Sequence, residues 1–317
     1  LNLVSIRLNS ESRGTPWPPT FAVNKHESKM ETKKVWFITG ASKGFGLGLV
    51  NQLLRAGDAV AATSRSLNEL RQAVGRQSAD FLPLEMDLGN EDSVSEAIEA
   101  TIRQFGRIDV VVNNAGYGQL GSLEELTSAE ARDNFEVNVF GMLTVIRQVM
   151  PYLRKQASGH ILNISSIAGL TGSFPGWGVY CATKFAVVGL SESLAAEVAP
   201  FGVKVTIVEP GYFRTEFLSS GSMRVAQNQV AEYALVRASE ALHREHIKGN
   251  QPGDPDKAVA AMIQVANAPN PPLHLLLGQD AYDMAYEKIQ ALQRDLENWK
   301  AVTTATGFAP VAASAPA

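Results

Sequence analysis

A chain of 317 residues with 45% hydrophobic content is long enough for one large α/β domain and apolar enough to bury a substantial core, which excludes disorder throughout. The formal charge of −4 gives no electrostatic pull toward nucleic acid or an anionic membrane, and no run reaches the roughly 18 to 20 apolar residues of a membrane span. A single cysteine, Cys181, cannot form an internal disulfide, so a cytoplasmic protein with a small-molecule partner is expected.

In chain order, residues 1–29 lack an apolar core of signal-peptide length and carry Pro16, Pro18 and Pro19; they read as a disordered leader, with Met30 just ahead of the first strand. Arg7, Arg13 and several serines are the only features of a transit peptide. From Lys34 onward, short β-branched apolar runs at 35–39, 59–63, 81–85, 108–113, 159–165 and 203–209 alternate with helix-length segments. That alternation predicts a single α/β domain over 30–308, a doubly wound parallel sheet with helices on both faces. Helical spacing of apolar residues predicts helices at 48–55 and 92–105, closed by Gly57 and Gly106. Residues 212–253 are polar and helix-prone, and 254–268 form a helix opened by Asp-Pro. A seventh strand is expected at 273–277, then an amphipathic helix over 281–300 with Ile289, Leu292, Leu296 and Trp299 on one face. The Ala- and Pro-rich residues 309–317 read as a frayed tail.

The first strand runs into Thr39-Gly40-Ala41-Ser42-Lys43-Gly44-Phe45-Gly46, and a helix follows. Glycines let the backbone turn tightly and approach a ligand, while the helix N-terminus offers free N–H groups to a pyrophosphate. This combination predicts a dinucleotide site.

Further along stand Asn113-Asn114-Ala115-Gly116, Asn138, Ser166, Tyr180-Cys181-Ala182-Thr183-Lys184 and Pro210-Gly211, in that order. Together with the glycine loop, this series resembles the short-chain dehydrogenase/reductase family over about 34–215, and 253–308 is similar to the longer C-terminal region of some members. The resemblance implies a Rossmann-type domain, a nicotinamide cofactor, interconversion of a carbonyl and an alcohol, and assembly as dimers or tetramers. It assigns catalysis to Asn138, Ser166, Tyr180 and Lys184, with Asn138 steadying a helix kink and a proton-relaying water. It brings Asp87, Leu88 and Asn114 near the adenosine half. Expected cofactor contacts are Gly40, Ser42, Lys43, Gly44, Phe45, Gly46, Ser64, Arg65, Asp87, Leu88, Asn114, Ala115, Gly116, Tyr180, Lys184, Pro210, Gly211, Phe213 and Thr215. Asp87 also reads as a strand-end turn residue.

Tyr180 and Lys184 are four apart and project from one helix face. A cation about 4 Å from the phenol would bring its pKa of about 10 toward neutrality, fitting Tyr180 to give or take a proton. Ser166 can hold the substrate oxygen beside it. Where an NAD-preferring member has a carboxylate after the second strand, this chain has Thr63-Ser64-Arg65. Arg65 and Lys43 can meet a 2′-phosphate, so NADP(H) is expected over NAD(H). Residues 212–253 are expected to form a mobile lid, hinged at Ser219-Ser220-Gly221-Ser222, with Phe213, Phe217, Leu218, Met223, Tyr233 and Leu235 closing over a hydrophobic substrate. His243 and His246 have no third metal ligand nearby in sequence, no metal is expected, and Cys181 reads as core. The rival functions are a non-catalytic dinucleotide-binding regulator and a dehydratase or epimerase on the same fold.

Overall fold

The computed structural model describes residues 33–219 and 221–308. The expectations for 1–29, Met30, Ser220 and the tail lie outside the described residues. The sheet is built from β1 (Val35–Ile38), β2 (Ala59–Ser64), β3 (Phe81–Glu85), β4 (Val110–Asn113), β6 (Gly159–Ile164), β7 (Val203–Pro210) and β9 (His274–Leu277). All pairings are parallel, and the strand order is β3-β2-β1-β4-β6-β7-β9. This is the Rossmann-type α/β fold, and its order reverses between β1 and β4, where open sheets leave a crevice at the carboxyl ends of the strands.

The apolar strands are explained by burial on both faces. Side chains alternate across a strand, so Trp36 and Ile38 enter one core while Phe37 enters the other. Val110 and Val112 divide from Val111 in the same way. The first core is covered by α1 (Gly44–Ala56) and α8 (Pro255–Asn267), the second by α3 (Glu91–Phe105), α5 (Gly141–Gln156) and α6 (Gly178–Val198). Helix α2 (Leu67–Val74) is capped by Ser66, which accepts from Glu69 N–H at 3.3 Å. Thr127 and Glu130 form a reciprocal capping box at the start of α4 (Ser128–Phe135).

Three features depart from the sequence expectations. Helix α1 begins at Gly44 rather than residue 48, because the glycine loop turns directly into it. Residues 212–253, expected to be polar and helix-prone, hold a strand as well as a helix: β8 (Met223–Val225), paired in parallel with β5 (Gly118–Leu120), and α7 (Ala234–Ala241). The last helix, α9 (Gln279–Thr304), is longer than expected, and its Ile289, Leu292, Leu296 and Trp299 are exposed. Among the described residues, no helix is long and apolar enough to cross a membrane.

Candidate active site

The glycine loop is held open by Asn114. Its side-chain amide donates to Thr39 O at 3.0 Å and Gly40 O at 2.9 Å, while the Thr39 hydroxyl accepts from the Asn114 and Ala115 N–H groups at 3.0 Å each. Gly40 has φ +65°, and a Cβ there would stand 2.8 Å from Ala115 Cα, so no other residue fits without displacing backbone. A Cβ at Gly46 would stand 2.5 Å from Gly40 O. That glycine packs α1 on the loop. Lys43 precedes α1 without a capping side-chain bond, which leaves the first N–H groups free for an anion.

From this loop a cavity of about 610 Å³ extends along the carboxyl ends of the strands. Every residue expected in the site lines it except Gly46 and Asn138. At one end lie Ser64, Arg65, Asp87 and Leu88. Asp87 also makes the expected turn, accepting from Gly89 N–H at 3.0 Å. Lys43 and Arg65 are exposed at its edge, and neither forms an ion pair among the described residues.

At the other end are Ser166, Tyr180 and Lys184. Tyr180 is buried, its ring 5.6 Å from Trp177 and 5.8 Å from Phe217. Burial pushes its phenol above the usual tyrosine value, and the adjacent Ser166 hydroxyl opposes that rise. Lys184 Nζ donates to Ile164 O at 2.8 Å and lies 5.8 Å from the Tyr180 ring centre; burial pulls its pKa down to about 8. The expectation that Lys184 draws Tyr180 toward neutrality is therefore corrected, because the ammonium donates to a backbone carbonyl and desolvation dominates at both groups. Ser166 Oγ accepts from Ala168 N–H at 3.1 Å, which fixes it at the end of β6.

Asn138 does not touch the cavity. It sits in a π-helical turn, Glu136–Phe140, between α4 and α5. Its side chain donates to Tyr117 O and Thr183 Oγ1 at 3.0 Å each and accepts from Tyr117 N–H at 3.0 Å. It joins the segment after β4 to α6 at Thr183, one residue before Lys184.

Sequence reasoning missed a further part of the cavity wall. Trp177, Tyr212 and His243 form it together with Phe174, Arg224 and Gln251. His243 packs 4.9 Å from Trp177, and its Nδ1 lies 2.7 Å from Ser239 O, an acceptor, so Nδ1 carries the proton. Nε2 then accepts from the Tyr212 hydroxyl at 3.0 Å. Burial favours the neutral ring by lowering its pKa. The helical spacing of His243 and His246 suggested only a metal pair, whereas position against Trp177 is a tertiary fact. Of the expected lid residues, Phe213, Phe217 and Leu218 line the cavity, Met223 is buried and does not line it, Tyr233 bonds Glu124, and Leu235 is exposed. Cys181 is buried, with its thiol pushed up to about 11 by desolvation.

The family model for short chain dehydrogenase matches residues 34–224. The chain belongs to this family. Among its relatives is Oxidoreductase BOA17 of Botryotinia fuckeliana (strain B05.10), 37% identical over 275 residues, covering 86% of this chain and 99% of that one. The 3-ketodihydrosphingosine reductase of Bacteroides thetaiotaomicron is 38% identical over 247 residues, covering 77% and 88%. A short-chain dehydrogenase from Streptomyces avermitilis superposes with a TM-score of 0.80 at 38% identity, covering 87% of this chain and all of that one. Two further structures carry dinucleotides. They are 3-ketoacyl-(acyl-carrier-protein) reductase from Brucella melitensis with NADH (26% identity, TM-score 0.64) and ElxO with NADP (28%, 0.63); each match covers 77% of this chain and 96% of the other. This short-chain dehydrogenase is thus an oxidoreductase with a nucleotide-binding Rossmann fold.

Proposed function

We propose that the chain is a cytoplasmic NADP(H)-dependent oxidoreductase that interconverts a carbonyl and a primary or secondary alcohol, with Tyr180 as general acid and base. The observation that carries this reading is one cavity lined by Tyr180, Ser166 and Lys184 and also by the cations Lys43 and Arg65, neither of which forms an ion pair among the described residues. The residues fit a dinucleotide. The uncapped N-terminus of α1 suits a pyrophosphate, and the Gly40 position leaves no room for a side chain between the loop and Ala115. Lys43 and Arg65 would meet a 2′-phosphate. When bound, the nicotinamide supplies or takes the hydride.

Tyr180, protonated in the free site because it is buried, is poised to give its proton to a carbonyl oxygen as that oxygen gains charge. Ser166 donates a hydrogen bond to the same oxygen and fixes its position. Lys184 is the cation on the same helix face as Tyr180 and stabilises the phenolate left behind. Asn138 positions the segment around Lys184 through Thr183. Phe174, Trp177 and Phe217 make an aromatic wall suited to a hydrophobic carbonyl compound, and Thr215, Glu216 and Leu218 beside it govern which ones enter.

The test is turnover by the purified chain with NADPH and NADH across a carbonyl panel, followed at the nicotinamide absorbance. The expected result is reduction with NADPH preferred by about tenfold or more in kcat/KM. Equal efficiencies contradict the cofactor assignment, and dinucleotide binding without turnover of any carbonyl favours the regulator reading.

A further inference from the structure

We infer that Tyr212, polarised by His243, is a second polar contact for the substrate: a hydrogen-bond acceptor that selects a hydrophobic carbonyl compound carrying a hydroxyl group away from the carbonyl. The inference rests on the carbonyl chemistry proposed for Tyr180 and adds what the rest of the substrate must offer. Both residues line the cavity that holds Tyr180, Ser166 and Lys184. The Trp177 ring packs against both sides of this arrangement, 4.9 Å from His243 and 5.6 Å from Tyr180. Burial dominates the rise in the Tyr180 pKa, and the Tyr212 phenol adds a lesser part of it, so the two phenols lie within electrostatic reach of each other.

The pair is held in place by its surroundings. The Tyr212 N–H donates to Asp280, in the first turn of α9, at 2.7 Å, and the Tyr212 carbonyl accepts from Gly253 N–H at 3.0 Å. His243 is 6% exposed, and its Nδ1–H donates to Ser239 O at 2.7 Å. Burial favours the neutral imidazole, so Nε2 carries no proton and can only accept. The Tyr212 hydroxyl therefore donates its one proton to Nε2, at 3.0 Å, and keeps only lone-pair density for a ligand. A free tyrosine hydroxyl gives or accepts according to its partner. This one is fixed as an acceptor.

An ether, a second carbonyl or a carboxylate at this position sets lone pair against lone pair, whereas a hydroxyl supplies the missing hydrogen. The pair carries no charge, so an ammonium group would lose its hydration without a counter-ion there, and a neutral hydroxyl is the better match. With the carbonyl oxygen at Tyr180 and Ser166 and the hydroxyl at Tyr212, the substrate is held at two points, which fixes the carbonyl face offered for reduction. The carbonyl carbon gains hydride from NADPH and its oxygen gains a proton from Tyr180, so the product is a diol in which the anchoring hydroxyl is unchanged.

The experiment measures the affinity of α-tetralone derivatives by calorimetry on the full chain loaded with NADP+, which cannot reduce them, for the parent and for Tyr212→Phe. The probes carry a hydroxyl, fluorine or methoxy group at each free position of the aromatic ring, fluorine standing in for a hydroxyl without its hydrogen. Comparing ratios between the two proteins cancels the substituents' own effects. At one ring position, Tyr212→Phe is expected to lower the hydroxy-to-fluoro affinity ratio by about tenfold, while the methoxy-to-fluoro ratio does not fall. A hydroxy-to-fluoro ratio unmoved at every position is the result of a purely structural Tyr212–His243 bond and overturns the proposal. A methoxy-to-fluoro ratio that falls in parallel overturns it too, since Tyr212 would then be donating, as does absence of binding by the whole panel. Reduction with NADPH is followed separately: tetralones that bind with the expected ratios and are never reduced support the hydroxyl contact and contradict the carbonyl chemistry at Tyr180.

Discussion

Burial acts in opposite senses on the two central residues, raising the Tyr180 phenol and lowering the Lys184 ammonium to about 8. Lys184 is a cation below that value and neutral above it. If its charge supports proton transfer, kcat/KM for reduction falls as pH rises through about 8, and the limb belongs to the free enzyme. Lys184→Arg, which keeps its charge, should move that limb upward; an unmoved limb would assign it to another group. At the opposite edge, Arg65→Ala should lower kcat/KM with NADPH by about 10- to 150-fold while leaving NADH nearly unchanged, and equal losses with both would remove Arg65 from cofactor choice. The identities of Tyr180, Lys184, Ser166 and the loop glycines are legible in the sequence, because spacing on one helix or in one turn is local. Trp177, Tyr212 and His243 are not, since their meeting depends on how α7 packs against the start of α6.

The segment following β7 is fastened at its far end by a buried carboxylate. Glu125, with no exposed side-chain surface, receives Arg237 at 2.8 and 2.9 Å, Val230 N–H at 2.7 Å and Ser122 N–H at 2.7 Å. Burial pushes this carboxyl up, but the Val230, Ser122 and Arg237 contacts outweigh it and leave the pKa low. Glu130 also accepts from Gln227 N–H at 3.0 Å. Hydrogen exchange over 226–247 should therefore be slow already in the free protein, while 214–222 slows only when cofactor and a substrate analogue bind together. Glu125→Ala leaves Arg237 without its buried partner and should cost about 3 kcal/mol, with exchange over 226–247 accelerated. Exchange unaltered by that substitution would show the anchor lies elsewhere. Elements with strong patterns were readable: the seven strands of the large sheet and α3 fall within two residues of expectation. β5 and β8 were not, because three-residue strands carry no period, and their pairing joins residues more than 100 apart.

At the scale of the molecule, the two cores keep one ionisable ring out of water. His160 in β6 is buried beside Thr206, its Nε2 2.9 Å from that hydroxyl, and desolvation lowers its pKa from 6.5 to about 4, with Lys204 and Lys34 adding to the effect. The unfolded chain takes up this proton first, so the stability due to neutral His160 is present above pH 6.5 and is lost as pH falls toward 4. The loss amounts to about 3 kcal/mol. His160→Gln, which has nothing to titrate, should lose less stability than the parent between pH 7 and 4.5 in denaturant unfolding; identical losses would place the acid sensitivity elsewhere. The doubly wound architecture was legible because parallel strands covered on both faces must be continuously apolar. The exposed face of α9 was not, because the same helical pattern describes a stripe packed on its own body and one left exposed.

The proton-transfer role of Tyr180 is tested most directly by measuring NADPH affinity and steady-state turnover in parallel for the parent and Tyr180→Phe. The substitution removes one hydroxyl and leaves the glycine loop, Lys43 and Arg65 untouched. Affinity within about twofold and a fall in kcat of about 100-fold or more are the outcome expected of a general acid. Turnover within about tenfold of the parent, with NADPH still bound, would contradict the account.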